Sequence, residues 1–231
     1  MWKDDRSLQY HEMITDELEI CGDALGYAIE FMPEDSIFSK YGPEDITKYV
    51  LRDNVAQISD DTQMSLFTAN GLLVGMTRGC MRGIPWRNYL RGDKHLEELI
   101  HMIDLAVTLS KNTDSDLNNI HRLGEGWAAE ETLGIAIYCA LKYQKDFSKA
   151  IITAVNHRGD SDSTGALTGN ILGALVGYDV IESKWKQNLE LIDVILEMAD
   201  DLCYGCLMEE YSSYRDPAWE SKYIHMHRAA F

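Results

Sequence analysis

The sequence predicts an all-α protein, a single compact helical domain over residues 1–231, and three observations carry that expectation. Only four prolines (Pro33, Pro43, Pro85 and Pro217) occur, each between apolar stretches, so helices can run unbroken over long intervals. Apolar residues recur at helical spacing in several windows. β-branched residues without a helical stripe are confined to 46–58, which reads as irregular or briefly extended.

The elements follow in chain order. Leu96, Leu99, Ile100, Ile103 and Val107 mark one amphipathic helix, and Leu133, Ala136, Ile137, Ala140 and Leu141 a second. Phe147, Ala150, Ile151, Ala154 and Val155 form a third stripe. Gly165, Gly169, Gly173 and Gly177 recur every fourth residue, at about 1 kcal/mol each relative to alanine inside a helix. Such a row gives a helix one flat side for close approach of another backbone, while Leu167, Ile171, Leu172 and Leu175 pack the other side. Ile192, Ile195, Leu196 and Ala199 form a further stripe opposite acidic residues, which makes at least six helices. The tail from Tyr204 to Phe231, with Tyr211, Tyr214, Trp219 and Tyr223, reads as an aromatic strap on the body.

Hydrophobic residues make up 45% and charged residues 26% of the chain, an ordinary folded composition. Lys and Arg number 21 against 38 Asp and Glu, a net charge of −17 that repels phosphate backbones and anionic lipids. Nucleic-acid binding and a membrane role are therefore not expected. No apolar run approaches the roughly 20 residues of a bilayer span, and the charged start carries no signal-peptide core, so the expected compartment is the cytoplasm. Five scattered cysteines suit reduced thiols. Cys203-x-x-Cys206 has metal-like spacing, but without a second pair, and with only His225 and His227 near the end, it falls short of a zinc site.

Two clusters of short oxygen-bearing residues stand where helices should begin: Ser59-Asp60-Asp61-Thr62 and Asp160-Ser161-Asp162-Ser163-Thr164. One carboxylate at a helix start is explained by capping and the macrodipole. Adjacent like charges that face inward need a cation, and oxygen donors without His or Cys suit Mg²⁺, Mn²⁺ or Ca²⁺. If the two helix starts face each other, a two-metal site follows. Asp160-x-Asp162-x-Thr164-Gly165 resembles half an EF-hand loop, but Ile171 occupies the position of the bidentate glutamate. It also resembles the nucleophile motif of haloacid-dehalogenase-type phosphatases, which needs a strand before it where this chain has a helical stripe; that is the less favoured reading. Asp60-Asp61 lacks the third carboxylate of the prenyl-diphosphate motif.

Taken in order, Gly22-Asp23-Ala24-Leu25-Gly26 with Glu30, Ser59-Asp60-Asp61-Thr62-Gln63-Met64, Leu123-Gly124-Glu125-Gly126-Trp127 with Glu130-Glu131, and Gly159 through Gly165 with Gly169-Asn170 resemble the ADP-ribosylglycohydrolase family, which includes ADP-ribosylarginine hydrolases and dinitrogenase-reductase-activating glycohydrolases. The resemblance implies an all-α fold with a central dinuclear site, two Mg²⁺ (or Mn²⁺) ions between helix N-termini, and hydrolysis of the bond between ADP-ribose and a protein side chain or small acceptor. It implies Ser59, Asp60, Asp61, Asp160, Asp162 and Ser163 as metal-binding residues. Glu30 matches the glutamate near the metals and the attacked sugar carbon, so Glu30 and Asp61 are the catalytic candidates. The implied partner is an ADP-ribosylated protein or a small ADP-ribose conjugate. A relative that binds ADP-ribose without cleaving it, or one kept for structure, is the alternative.

Several features depart from the family pattern. Asp60 and Asp160 lie 100 positions apart, closer than in relatives, whose longer middle carries a Gly/Asn/Ser-rich loop before Met-Arg. Gly79-Cys80-Met81-Arg82-Gly83 is the nearest fragment, and 83–96 bridges the expected internal deletion. Asp16, Glu17 and Glu19 predict a more exposed first helix. His157 reads as a cap or surface group, and Glu125, Glu130 and Glu131 as packing and hydrogen-bonding residues.

Overall fold

The computed structural model describes residues 19–63, 65, 94–204, 217–219 and 221–222. Helical residues 19–26 form α1, whose small residues Gly22 and Gly26 let it lie against a neighbouring backbone. A turn over 27–31, closed by Glu30 N–H donating to the Gly26 carbonyl at 3.0 Å, leads past Pro33 into α2 (Glu34–Tyr41). The expected extended stretch is a two-residue hairpin, β1 (Leu51–Arg52) antiparallel to β2 (Val55–Ala56), with Arg52 opposite Val55. Its turn residues Asp53 and Asn54 both have positive φ, 52° and 68°, the primed geometry that matches strand twist. Helical residues from 60 open α3.

The helices expected from the apolar period follow: α4 (Lys94–Leu109), α6 (Ala129–Lys142), α7 (Phe147–Val155), α8 (Ser161–Val176) and α10 (Ile192–Tyr204). Between them lie α5 (Asp116–Leu123), capped by Ser115, the single-turn α9 (Ser183–Lys186) and, later, α11 (Pro217–Trp219). Helix α8 is central and packs against α6 and α7. Its glycine side meets α1: a Cβ on Gly165 would lie 2.5 Å from the Gly22 carbonyl oxygen, and one on Gly22 would lie 1.9 Å from that of Gly165. Only paired glycines permit that approach. Leu172 is buried on the other side, but Leu175, in the last turn of α8, is exposed.

Apolar burial divides into two clusters. The larger joins Leu25 and Ile29 to Ile46, Ile151, Leu172 and Trp185, and the smaller joins Leu109, Ile120, Leu123, Ile135 and Tyr138. Large buried side chains carry their polar atoms to partners: Trp185 Nε1 donates to Ser148 Oγ at 2.6 Å and Tyr138 OH to Asp116 Oδ1 at 2.6 Å, as interior polar groups require. Asn156 replaces a strand partner for Ile46, accepting from its N–H and donating to its C=O, each at 2.9 Å. The hairpin is tied to the chain between α9 and α10, with Ala56 N–H donating to Asn188 O at 2.6 Å and Glu190 N–H to Ala56 O at 3.0 Å.

Glu19 corrects the expectation of an exposed first helix. It is buried because Ser65 Oγ and Asn170 Nδ2 donate to its carboxylate at 2.8 and 3.1 Å; Asp16 and Glu17 lie outside the described residues. So do Gly79–Gly83, the expected bridge up to Asp93, Cys206, His225, His227 and the tail aromatics Tyr211, Tyr214 and Tyr223. Among the described residues no helix is long and apolar enough to cross a membrane.

Candidate metal centre

The first acidic run is set by one buried carboxylate from α1. Asp23, fully buried, accepts from Ser59 N–H at 3.1 and 3.2 Å and from the Thr62 hydroxyl. It thereby satisfies donors that the start of α3 leaves without intrahelical partners. Ser59 Oγ caps the Asp61 N–H at 3.1 Å. Burial raises the Asp23 pKa above the usual carboxylate range despite the hydrogen bonds from Ser59 and Thr62. A lone Asp in an apolar helix gives no sign of this clamping in the sequence.

The second run is set from α7 and the loop before α6. Asp160 caps α8, accepting from Ser163 N–H at 3.2 Å, while its own N–H donates to Glu125 O at 2.9 Å. Glu125 sits in a glycine loop whose amides at 125 and 126 both donate to Glu131 at 3.1 Å, and whose glycines 124 and 126 have φ of 129° and 85°. Glu131 is thus the hydrogen-bonding residue expected. His157, in contrast, is wholly buried rather than a surface group. Its Nδ1 lies 2.7 Å from Arg158 O and its Nε2 3.0 Å from Thr164 Oγ1, so both ring nitrogens are engaged. Burial lowers its pKa, which keeps it neutral and fixed as a strut between α7 and α8.

The two runs meet. Ser163 Oγ on α8 donates to Asp61 Oδ2 on α3 at 2.6 Å. Glu30, from the turn after α1, joins them: one carboxylate oxygen each of Glu30, Asp160 and Asp162 lie within 4.8 Å of one another. Ser59 and Asp162 are buried, Glu30, Asp61, Asp160 and Ser163 half-buried, and Asp60 exposed. Asp60 belongs to the same field, since it and Asp160 add to burial in raising the Glu30 and Asp61 pKa values. Asp162, only 3% exposed, has its pKa pushed up to about 8 by burial, by Asp160 and by the Glu30 charge.

Among the described residues none of these carboxylates pairs with a lysine or arginine, and Asp162 Oδ1 is buried without a hydrogen-bond partner. A buried, unpartnered acceptor among like charges is costly unless a proton or a cation joins it. The donor set is all oxygen, from carboxylates and hydroxyls, and two helix N-termini face it. These residues fit a hard divalent cation.

Phe31, next to Glu30 in the chain, and Trp127 meet on the surface with their rings stacked at 5.3 Å and 15°. They remain 70% and 51% exposed, and Phe31 holds a φ of +62°, unusual for an aromatic residue. Spacing in the sequence gives no hint of this pair.

Comparison with known proteins adds a family. The ADP-ribosylglycohydrolase family model matches residues 19–91 and 84–213. The chain is 30% identical over 81 residues to human ADP-ribosylhydrolase ARH3, covering 31% of this chain and 22% of that protein. It is 36% identical over 81 residues to ADP-ribosylarginine hydrolase Tri1 of Serratia proteamaculans, covering 35% and 22%. It is 44% identical over 45 residues to the ADP-ribosyl-[dinitrogen reductase] glycohydrolase of Rhodospirillum rubrum, covering 20% and 15%. The matched stretches thus span about a fifth of these relatives.

Proposed function

The chain belongs to the ADP-ribosylglycohydrolase family, and from that membership and its acidic centre we propose that it hydrolyses the glycosidic bond between ADP-ribose and a protein side chain or small acceptor, with two divalent cations, Mg²⁺ or Mn²⁺, as cofactors. The observation that carries the reading is the contact between Ser163 and Asp61, 102 positions apart in the chain, which joins two acidic runs around Glu30. The names of the relatives share ADP-ribose and differ in the acceptor, so the ADP-ribosyl group is the common substrate element. The family match in two segments overlapping at 84–91 supports one domain with a shortened connection near 83–96. The buried cysteines Cys21 and Cys139, neither of them in a disulfide, are in keeping with the cytoplasm.

Ser59, Asp60, Asp61, Asp160, Asp162 and Ser163 would hold the cations. When bound, these would polarise ribose hydroxyls and acidify a water. The carboxylates themselves favour the positive charge that develops at the anomeric carbon in an oxocarbenium-like transition state. Glu30, with a pKa raised by burial and by Asp160 and Asp60, is the first candidate to exchange a proton with the attacking water. Asp61, held by Ser163, is the second candidate for that role.

The test is ADP-ribose release from ADP-ribosylated arginine and serine peptides. Release is expected only with Mg²⁺ or Mn²⁺ and is lost in Asp60→Ala/Asp162→Ala. Binding of ADP-ribose without release would leave the non-catalytic alternative; neither binding nor release would defeat both.

A further inference from the structure

We propose that the cavity lined by α5, α7 and the loop between α2 and β1 binds a small aliphatic diamine, at a site separate from the acidic centre and independent of the hydrolase reading. Its volume is about 480 Å³, the size of a small-molecule site. None of its lining residues is among the metal-binding or catalytic candidates. The buried residues Ile120 and Thr153 form its floor, and the exposed residues Pro43, Glu44, Leu117 and Lys149 its rim. With Ile152 between them, the apolar members of this lining suit methylene groups rather than a hydrated ion.

The lining carries three carboxylates, Glu44, Asp45 and Asp116, against one lysine, Lys149. The three are not equivalent. Asp116 is compensated, since Tyr138 and Tyr143 donate to it at 2.6 and 2.7 Å and Lys142 Nζ lies 2.9 Å away. Among the described residues neither Glu44 nor Asp45 has a cationic partner, and burial together with the Glu34 charge holds the Asp45 pKa above its ordinary value. Lys149 Nζ lies 5.7 Å from the Tyr143 ring centre. Two uncompensated negative charges therefore border an apolar cavity in a chain of net charge −17, whose field concentrates cations. The floor gives an independent sign of a ligand. Thr153 is only 6% exposed and its Oγ1 is buried without a hydrogen-bond partner, a costly state for an interior hydroxyl. A helical threonine has two accessible rotamers, so the hydroxyl can turn to meet a donor in the cavity. A linear diamine offers what this lining lacks: methylenes for the apolar wall, two positive charges for Glu44 and Asp45, and N–H donors for the Thr153 hydroxyl. An anion would meet three carboxylates, and a bare metal ion would meet the apolar wall.

The experiment is calorimetric titration of the full chain, without Mg²⁺, with 1,4-diaminobutane, butylamine and butyrate. The diamine is expected to bind more tightly than butylamine, and butyrate not to bind. Asp45→Asn keeps a residue type that tolerates the φ of +56° and is expected to weaken the diamine about tenfold. Glu44→Gln, at the exposed rim, is expected to weaken it about threefold. Lys149→Gln is expected to strengthen it about twofold, the opposite of the effect on an anionic ligand. Thr153→Val removes a hydroxyl that has no partner in the protein, so it is expected to raise Tm while weakening the diamine severalfold; a threonine with a structural role alone would lower Tm and leave the affinity unchanged. Asp193→Asn, an exposed acid outside the cavity lining, controls for net charge and is expected to change nothing. The proposal is overturned if the diamine fails to bind the unaltered chain, if Asp193→Asn weakens it as much as Asp45→Asn does, or if both Asp45→Asn and Thr153→Val leave its affinity unchanged. ADP-ribose release is expected to be the same in Asp45→Asn and the unaltered chain, so the diamine site and the hydrolase stand or fall separately.

Discussion

Gly26→Ala tests whether the acidic centre depends on how closely α1 approaches α8. A Cβ at position 26 would lie 2.2 Å from the Ser161 carbonyl oxygen and 2.5 Å from the Asp162 nitrogen. Ordinary contact begins roughly 1 Å farther out, and the atoms in the way are backbone, so the first turn of α8 must move by about that distance. In an unobstructed helix the same change would be favourable by about 1 kcal/mol. Forcing a methyl into a packed interior costs about 1–3 kcal/mol and more where backbone must move. The net expectation is a loss of about 1–2 kcal/mol, or roughly 2–8 °C in Tm for a chain of this size. Because the displaced turn carries Asp162, the variant is also expected to lose most of the thermal stabilisation that the proposed site predicts on adding Mg²⁺. Differential scanning fluorimetry with and without Mg²⁺ reads both. A Tm equal to or above that of the unaltered chain, with the Mg²⁺ response intact, would refute the reasoning.

Three further outcomes are expected. Asp162, Glu30, Asp61 and Asp23 all have raised pKa values, so the folded chain binds their protons more tightly than the unfolded chain does. Their contribution is complete below the ordinary carboxylate range and is lost as pH rises toward about 8, the value for Asp162, at about 1.4 kcal/mol per unit for one such group. Without metal, Tm should fall between pH 5 and 8, and added Mg²⁺ should raise Tm more at pH 8 than at pH 5; a flat metal-free profile counts against the coupling. Asp23→Leu leaves two buried donors at the start of α3 without an acceptor and should cost about 2–4 kcal/mol in urea unfolding, whereas Asp23→Asn should keep most of the stability. Glu131→Ala should speed hydrogen exchange at the 125, 126 and 160 amides, with Glu131→Gln close to the unaltered chain. Equal protection in Glu131→Ala and the unaltered chain would show that the loop is held by something else.

The helices were legible where an apolar stripe repeats over several turns, as in α4, α6, α7 and α10. Short α5 and α9 are not, since eight and four residues give too few turns for a period to register. The glycine row foretold close backbone approach but not its partner, because Gly22 and Gly165 are 143 positions apart in the sequence. In the site, paired carboxylates at helix starts were visible as charges that had to be compensated. Asp23 and His157 were not, because each is a single polar residue whose task is defined only by what folds around it. Glu19 was misread because its partners, Ser65 and Asn170, come from distant segments.

The tie between the hairpin and the segment after α9 bears on the order of events during synthesis. Ala56 bonds to Asn188 and Glu190, and the Ile58 N–H donates to Glu190 Oε2 at 3.2 Å, one residue before the first acidic run begins. A nascent chain that has emerged only as far as α8 already contains every carboxylate of the centre but not the segment that braces the entry to α3. Contacts of such long sequence separation form late. Bracing of the entry to α3 therefore awaits translation of the segment that carries Asn188 and Glu190.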